Sequence, residues 1–272
     1  MTQTKDRETE TFSSKKYKRG LVLSGGGARG IAHLGAVKAL YEKGLTFDII
    51  IGTSVGAIVG CLLADGRHPD EILKVLTQNR LRSFIRPGFS LSGLMTMRGV
   101  RKALQKILSV ANLEDLNIPC IVVATNLDRG KTHYFEQGDI IDAVTASASI
   151  PVVFQPVVID GSRYIDGSIL NGLSVRHIRN DCEKIIGLHV NSHSPEHHNR
   201  EKVKGIVNIA CRVFHLRKLN NILPDVELCD FYLEHTNLQK YAAFDFSKAT
   251  EIFQIGYDNT VQLLQTDYWK LV

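Results

Sequence analysis

The residues best placed to do chemistry are Gly52-Thr53-Ser54-Val55-Gly56, set between the apolar run 47–51 and the small-residue run 57–64. A β-branched run, then Gly-x-Ser-x-Gly, then a helix-forming run is the sequence form of a nucleophile elbow. The glycines matter because a sharp strand-to-helix turn leaves no room for a Cβ on either side of the serine. The competing reading is a tight turn in which Ser54 merely caps the next helix. A second stretch, Gly25-Gly26-Gly27-Ala28-Arg29-Gly30, is also a glycine-rich strand-to-helix loop. Its exposed N–H groups suit an anion. Literally it satisfies the dinucleotide fingerprint, but the acid that would hold a ribose belongs at the end of the second strand. Asp48 stands before the apolar residues of that strand, and what stands at its end is Ser54. Beside a serine nucleophile the natural anion is the tetrahedral oxyanion of acyl transfer.

Serine needs a base to take its proton. Asp166 is the best acid by context, since it follows a strand, precedes Gly167-Ser168 and lies among apolar residues. Its bland reading is an Asp-Gly turn. His177, His189 and His193 follow in the order a three-residue triad would need, but His177 sits in a basic helix-like stretch with Arg176 and Arg179 and reads as surface. His193, His197 and His198 lie in a polar loop without carboxylates at zinc-ligand spacing, so no metal and no cofactor is expected.

The elements that must position these groups follow from periodicity. Short apolar strands are expected at 20–24 and 48–51, each followed by a helix, from Ile31 to Gly44 and through 57–64. A further helix follows Pro69, another spans about 99–110, and strands are expected at 120–124 and 131–135. A helix at 140–149 ends before Pro151. A hairpin at 157–165 turns at Asp160-Gly161, with Asp166 just beyond it. Residues 185–190 form the last strand, 191–200 a polar loop, and 203–219 and 248–265 helices. Repeated βα units imply an α/β fold with a parallel sheet between covering helices.

With 272 residues, 44% apolar and 22% charged, the composition is that of an ordinary globular chain with one large domain. The net charge of +5 is too small and dispersed to argue for nucleic acid. Residues 1–19 are polar and basic and read as a disordered leader without the apolar core of a secretory signal. Five cysteines with no Cys-x-x-Cys pair suit a reducing, cytoplasmic setting. Residues 80–99 are basic, apolar and broken by glycines. They suit either a lid or peripheral membrane surface, or an insertion packed on the core, and the broken pattern favours the latter.

Taken together, Gly25 to Gly30, Gly52 to Gly56, Ala146-Ser147-Ala148-Ser149-Ile150-Pro151, and Asp166-Gly167-Ser168 followed by Asn171 resemble the patatin-like phospholipases, in that family's order and rough spacing. The resemblance covers about residues 20–190 and extends to Phe246 and Ile255-Gly256-Tyr257; it is similar to the bacterial, single-domain members. It implies a three-layer α/β/α fold with a mostly parallel sheet in one domain over 20–272, the part after 190 mainly helical. It also implies a serine acyl hydrolase acting on phospholipid or lysophospholipid esters through a Ser54–Asp166 dyad, without histidine. Backbone amides at Gly26, Gly27 and Ala28 would form the oxyanion hole, with Arg29 beside it. The chain departs from the family at Ser168, where glycine or alanine is usual. A hydroxyl donated from there to the Asp166 carboxylate would favour its ionised form and weaken it as a base. The alternatives are a nucleotide-binding protein using the Gly25–Gly30 loop and a catalytically weak lipid-binding regulator. Oligomeric state is not legible in the residues.

Overall fold

In a computed structural model, residues 15–78, 97–191, 222–243 and 245–266 are described, together with residues 209 and 213. Most of the 80–99 segment, the 203–219 helix and the loop bearing His193, His197 and His198 lie outside them. One eight-stranded sheet organises the rest, in the order β5-β6-β3-β2-β1-β7-β8, with β4 also on β3. Its strands are β1 (Tyr17–Leu23), β2 (Ile49–Thr53), β3 (Cys120–Asn126), β4 (Lys131–Phe135), β5 (Val157–Ile159), β6 (Ser162–Asp166), β7 (Cys182–His189) and β8 (Phe231–Glu234). β1 pairs in parallel with β2 and β7, β2 with β3, and β7 with β8; the pairs involving β4, β5 and β6 are antiparallel.

Alternation along the central strands divides the core in two, as expected where side chains point to opposite faces with period two. Leu21, Leu23, Ile50, Val122 and Ala124 face one apolar cluster; Val22, Ile49, Ile51, Ile121 and Val123 face the other. The larger cluster is covered by α1 (Ile31–Glu42), α2 (Val55–Ala64), α3 (Pro69–Gln78), α4 (Arg98–Ile107), α5 (Ile140–Ser147) and the closing α8 (Ala249–Leu264). The smaller is covered by the short α6 (Val175–Ile178) and α7 (Leu223–Val226) and their flanking residues. This is the expected three-layer α/β/α arrangement around a mixed, mostly parallel sheet.

Boundaries differ from the sequence reading where pairing, rather than hydropathy, decides them. β1 begins at Tyr17, inside the predicted leader, because Tyr17 and Arg19 pair with Cys182 and Lys184 of β7 although they continue no apolar run. Asp166 is the last residue of β6 rather than a residue beyond it. Asp48 is spent on the backbone: its carboxylate accepts from the Arg19 N–H at 2.7 Å, and its own N–H donates to the Arg19 carbonyl at 2.9 Å. No helix among the described residues is long and apolar enough to cross a membrane.

Candidate active site

β3 has two edges, and pairing register assigns both. β4 pairs along Val122 to Asn126 on one edge. On the other, β2 pairs with residues 120–123 and β6 with residues 124–126, running in opposite directions. Thr53, the last residue of β2, lies opposite Val123; Asp166, the last of β6, lies opposite Ala124. The two strands therefore run head-on along one edge of β3. Ser54 and Asp166 sit where they meet. Gly167 packs at that junction, since a Cβ there would run into the Val123 carbonyl and lie 3.1 Å from Cγ2 of Thr53.

Ser54 stands at the N-cap of α2 with φ 57° and ψ −122°, a left-handed conformation that a side-chain-bearing residue rarely adopts. Its side chain makes no capping hydrogen bond, so the helix-cap reading does not hold; its carbonyl accepts from Ala57 and Ile58 instead. Closely packed glycines let the turn form, because a Cβ on Gly52 would collide with the Gly56 backbone and one on Gly56 with the Leu23 carbonyl. The sharp turn leaves Ser54 lining a cavity of about 110 Å³, whose other walls come from Val55, Ile58 and Leu62 of α2, from α4, and from Phe154 and Phe246. That wall is almost wholly apolar.

The end of α5 clamps this meeting point. Ser147 Oγ accepts from the Ser54 N–H at 2.8 Å and donates to the Val123 carbonyl at 2.6 Å. Two residues on, the Ser149 carbonyl accepts from the Asp166 N–H at 2.9 Å. One short segment thus holds the nucleophile candidate by a side chain and the base candidate by its backbone. Sequence reading saw these serines as part of a motif and missed what they hold. Asp166 is buried, and its carboxylate accepts from the Ser168 N–H at 2.8 Å while Thr125 Oγ1 donates to its carbonyl at 3.1 Å. The Ser168 hydroxyl is itself buried and meets no hydrogen-bond partner among the described residues. The anticipated Ser168 hydroxyl bond to Asp166 is therefore absent, and the contact comes from the backbone.

The glycine loop abuts the elbow, since Gly30 leaves its space to the Val55 side chain. No acceptor meets the N–H of Gly26 or Gly27 among the described residues. Ala28 differs from the sequence expectation: its N–H donates to the Ala243 carbonyl at 2.7 Å. The 241–243 strap approaches so closely that only glycine fits at position 27, where φ is +61°. Beside it, burial lowers the pKa of the Arg29 guanidinium below its usual value, and its Nε finds no acceptor among the described residues.

The histidines stand apart. His177 stacks on Tyr134 with ring centroids 3.6 Å apart and reaches Glu136 at 3.3 Å. His189 is buried on β7, its Nδ1 3.0 Å from the Tyr232 hydroxyl. His33 is buried in α1 with Nε2 2.8 Å from the Ser24 carbonyl. None of the three lines the Ser54 cavity. No cluster of three or more His, Cys, Asp or Glu able to hold a metal occurs among the described residues.

Known proteins resemble this chain at several levels. The family model for patatin-like phospholipase matches residues 21–177. An uncharacterized NTE family protein of Mycobacterium tuberculosis is 38% identical over 161 residues, which is 58% of this chain and 44% of that one. Lysophospholipase nte1 of Emericella nidulans is 27% identical over 277 residues, covering 90% of this chain and 18% of that protein. The chain thus spans less than half the length of these two relatives. Among solved structures, VipD from Legionella pneumophila superposes with a TM-score of 0.49 at 18% identity, over 97% of this chain and 71% of that one. The family match takes in more than half of the sequence, including the glycine loop, the elbow and Asp166, and the chain belongs to the patatin-like phospholipases.

Proposed function

We propose that the protein hydrolyses ester bonds of phospholipids or lysophospholipids by a Ser54–Asp166 dyad. The observation that carries this reading is the head-on meeting of β2 and β6 on one edge of β3, which sets a strained, cavity-facing serine beside a buried carboxylate. In acylation, Ser54 Oγ attacks the ester carbonyl as Asp166 takes its proton. The Gly26 and Gly27 amides receive the developing oxyanion, and such preorganised donors are each worth about 3–4 kcal/mol in comparable sites. The tetrahedral intermediate collapses with the proton passing from Asp166 to the departing glycerol oxygen, leaving the acyl group on Ser54. Water then attacks, with Asp166 again as the base, and the fatty acid leaves as Ser54 regains its proton.

The apolar cavity supports a lipid substrate because it offers an acyl chain van der Waals contact and almost no polar group to desolvate. The Ala28 amide joins the oxyanion hole only if the Ala243 carbonyl leaves it, so Gly26 and Gly27 are its principal donors in this reading. Ser54→Ala is expected to abolish both hydrolysis of a short p-nitrophenyl ester and covalent labelling by a fluorophosphonate. Asp166→Asn is expected to cost nearly as much, while His177→Ala stays near the parent rate. Retained hydrolysis in Ser54→Ala would sink the assignment, and loss of activity in His177→Ala would favour a triad instead.

A further inference from the structure

We propose that α4 is the face by which the protein docks on a bilayer carrying anionic phospholipids, an inference that rests on the reading of Ser54 as a lipid-ester nucleophile. The helix has two distinct faces. Val100, Leu104 and Ile107 line the cavity that Ser54 shares. On the opposite side Arg98, Lys102 and Lys106 recur every four residues, so they stack as one stripe along the helix. All three are exposed, and none has an ion-pair partner among the described residues. Arg101, by contrast, points toward α5, where it bonds Thr145 Oγ1 at 3.0 Å and pairs with Asp142 at 2.6 Å. The helix therefore neutralises the cation that faces the protein and leaves three facing water.

The placement of Arg98 is also costly for a helix considered by itself. It lies in the first turn, where the macrodipole is positive, and no acidic residue accompanies it there. A layer of phosphate groups against this face would relieve that repulsion and match the whole stripe. An amphipathic helix with Lys and Arg along its polar face is suited to lie in the plane of a bilayer surface. Here the other face is already packed, so α4 would rest on headgroups rather than insert. Docked so, it leaves about one helix diameter, ~10 Å, between the headgroup layer and the acyl cavity. At its far end α4 is fixed to the nucleophile helix, since Asp65, just beyond α2, accepts from the Ser109 N–H at 3.1 Å and from its hydroxyl. The docking helix is thus tied by hydrogen bonds to the end of the helix that follows Ser54.

The test uses the full chain with Arg98→Gln, Lys102→Gln and Lys106→Gln combined, and vesicles of phosphatidylcholine with or without phosphatidylglycerol. The parent protein should float with phosphatidylglycerol vesicles at low salt, bind pure phosphatidylcholine far less, and release as salt rises. Three such charges together should be worth about a hundredfold in partition, so the triple variant should lose that much. Its hydrolysis of monomeric p-nitrophenyl butyrate should match the parent, since none of the three side chains lines the cavity. Ser54→Ala should bind vesicles like the parent, which separates docking from chemistry. The proposal is overturned if the parent binds neither vesicle or binds both equally, or if the triple variant partitions like the parent. It is also overturned if the stripe binds an acidic polypeptide but no vesicle. A failed reading of Ser54 would instead show as unchanged ester hydrolysis in Ser54→Ala, whatever the vesicles report.

Discussion

Ser147→Ala tests whether the end of α5 holds Ser54, the proposed nucleophile, in its working conformation. The hydroxyl is fully buried and bridges the Ser54 N–H and the Val123 carbonyl at 2.8 and 2.6 Å. Removing it strands a buried donor and a buried acceptor, and one such unsatisfied group costs about 1–3 kcal/mol. The expected loss of stability is about 2–3 kcal/mol. The kinetic effect has a separate origin. Ser54 is kept at φ 57° and ψ −122°, and a residue held in such a region carries about 1–3 kcal/mol of strain that its surroundings must enforce. With the clamp gone the elbow can relax, and restoring the reactive geometry at about 1–2 kcal/mol would lower kcat/KM roughly 5- to 30-fold. The measurements are kcat/KM on a monomeric p-nitrophenyl ester, the rate of fluorophosphonate labelling, and the urea midpoint. Ser149→Ala is the internal control. Its hydroxyl donates to the Thr145 carbonyl within the same helix end at 2.7 Å, whereas Asp166 is held by the Ser149 backbone carbonyl, which the substitution keeps. It should cost less than about 1.5 kcal/mol and leave kcat/KM within about twofold. Equal kinetics for the two variants, or a destabilised Ser147→Ala with the parent's kcat/KM, would refute the clamp.

Gly56→Ala should prevent fluorophosphonate labelling, because its methyl group would collide with the Leu23 carbonyl; overpacking of this kind costs about 1–3 kcal/mol, read as a lower melting temperature. Ile58→Phe should narrow the cavity one helical turn from Ser54, cutting kcat/KM for p-nitrophenyl octanoate about tenfold or more while leaving the acetate ester near the parent. Stability should also fall in mild acid. Burial, aided by His189, pushes the His235 pKa down to about 4 from its ordinary 6.5, so the unfolded chain binds the extra proton between those values. The folded state is then favoured above pH 6.5 and loses about 2 kcal/mol between pH 7 and pH 5, the loss levelling off below pH 4. Urea titrations across that range should show a shallower acid limb in His235→Gln, and an unchanged limb would remove His235 as its source.

What was legible in the sequence was whatever is local. The elbow announces itself because its glycines, its serine and the apolar strand before it lie within ten residues. The core strands announce themselves through runs such as residues 49–51 and 120–124, buried on both faces as strands of a covered parallel sheet must be. β8 did not, since four residues of mixed polarity become a strand only because β7 offers them an edge. The partner of the Ala28 amide was equally invisible. Ala243 lies more than two hundred residues away, in a stretch with no motif of its own. The roles of Ser147 and Ser149 were hidden for a subtler reason. Both appear as small residues before a proline, and only the end of the helix between them decides which presents its side chain and which its carbonyl.

The relation on which the proposed dyad depends, between Ser54 and Asp166, is of a third kind. Periodicity shows that each follows a strand, but the separation of 112 positions contains nothing that says on which edge either strand pairs. It is the antiparallel sense of β6 that matters. Were β6 parallel to β2, Asp166 would end up a strand's length beyond the elbow, at about 3.3 Å per residue. Because it runs the other way and shares the edge, the two chain reversals face one another across the gap between Val123 and Ala124. In the proposed dyad a carboxylate carried there would act on Ser54 directly, with no imidazole between them. None of the described histidines lines the cavity, and on this reading exchanging Asp166 for Glu should disturb the site almost as much as Asn does. One extra methylene would push the carboxylate off the Ser168 N–H that orients it. Recovery of more than about a tenth of the parent kcat/KM in Asp166→Glu would mean that the junction tolerates more slack than two strands sharing one edge allow.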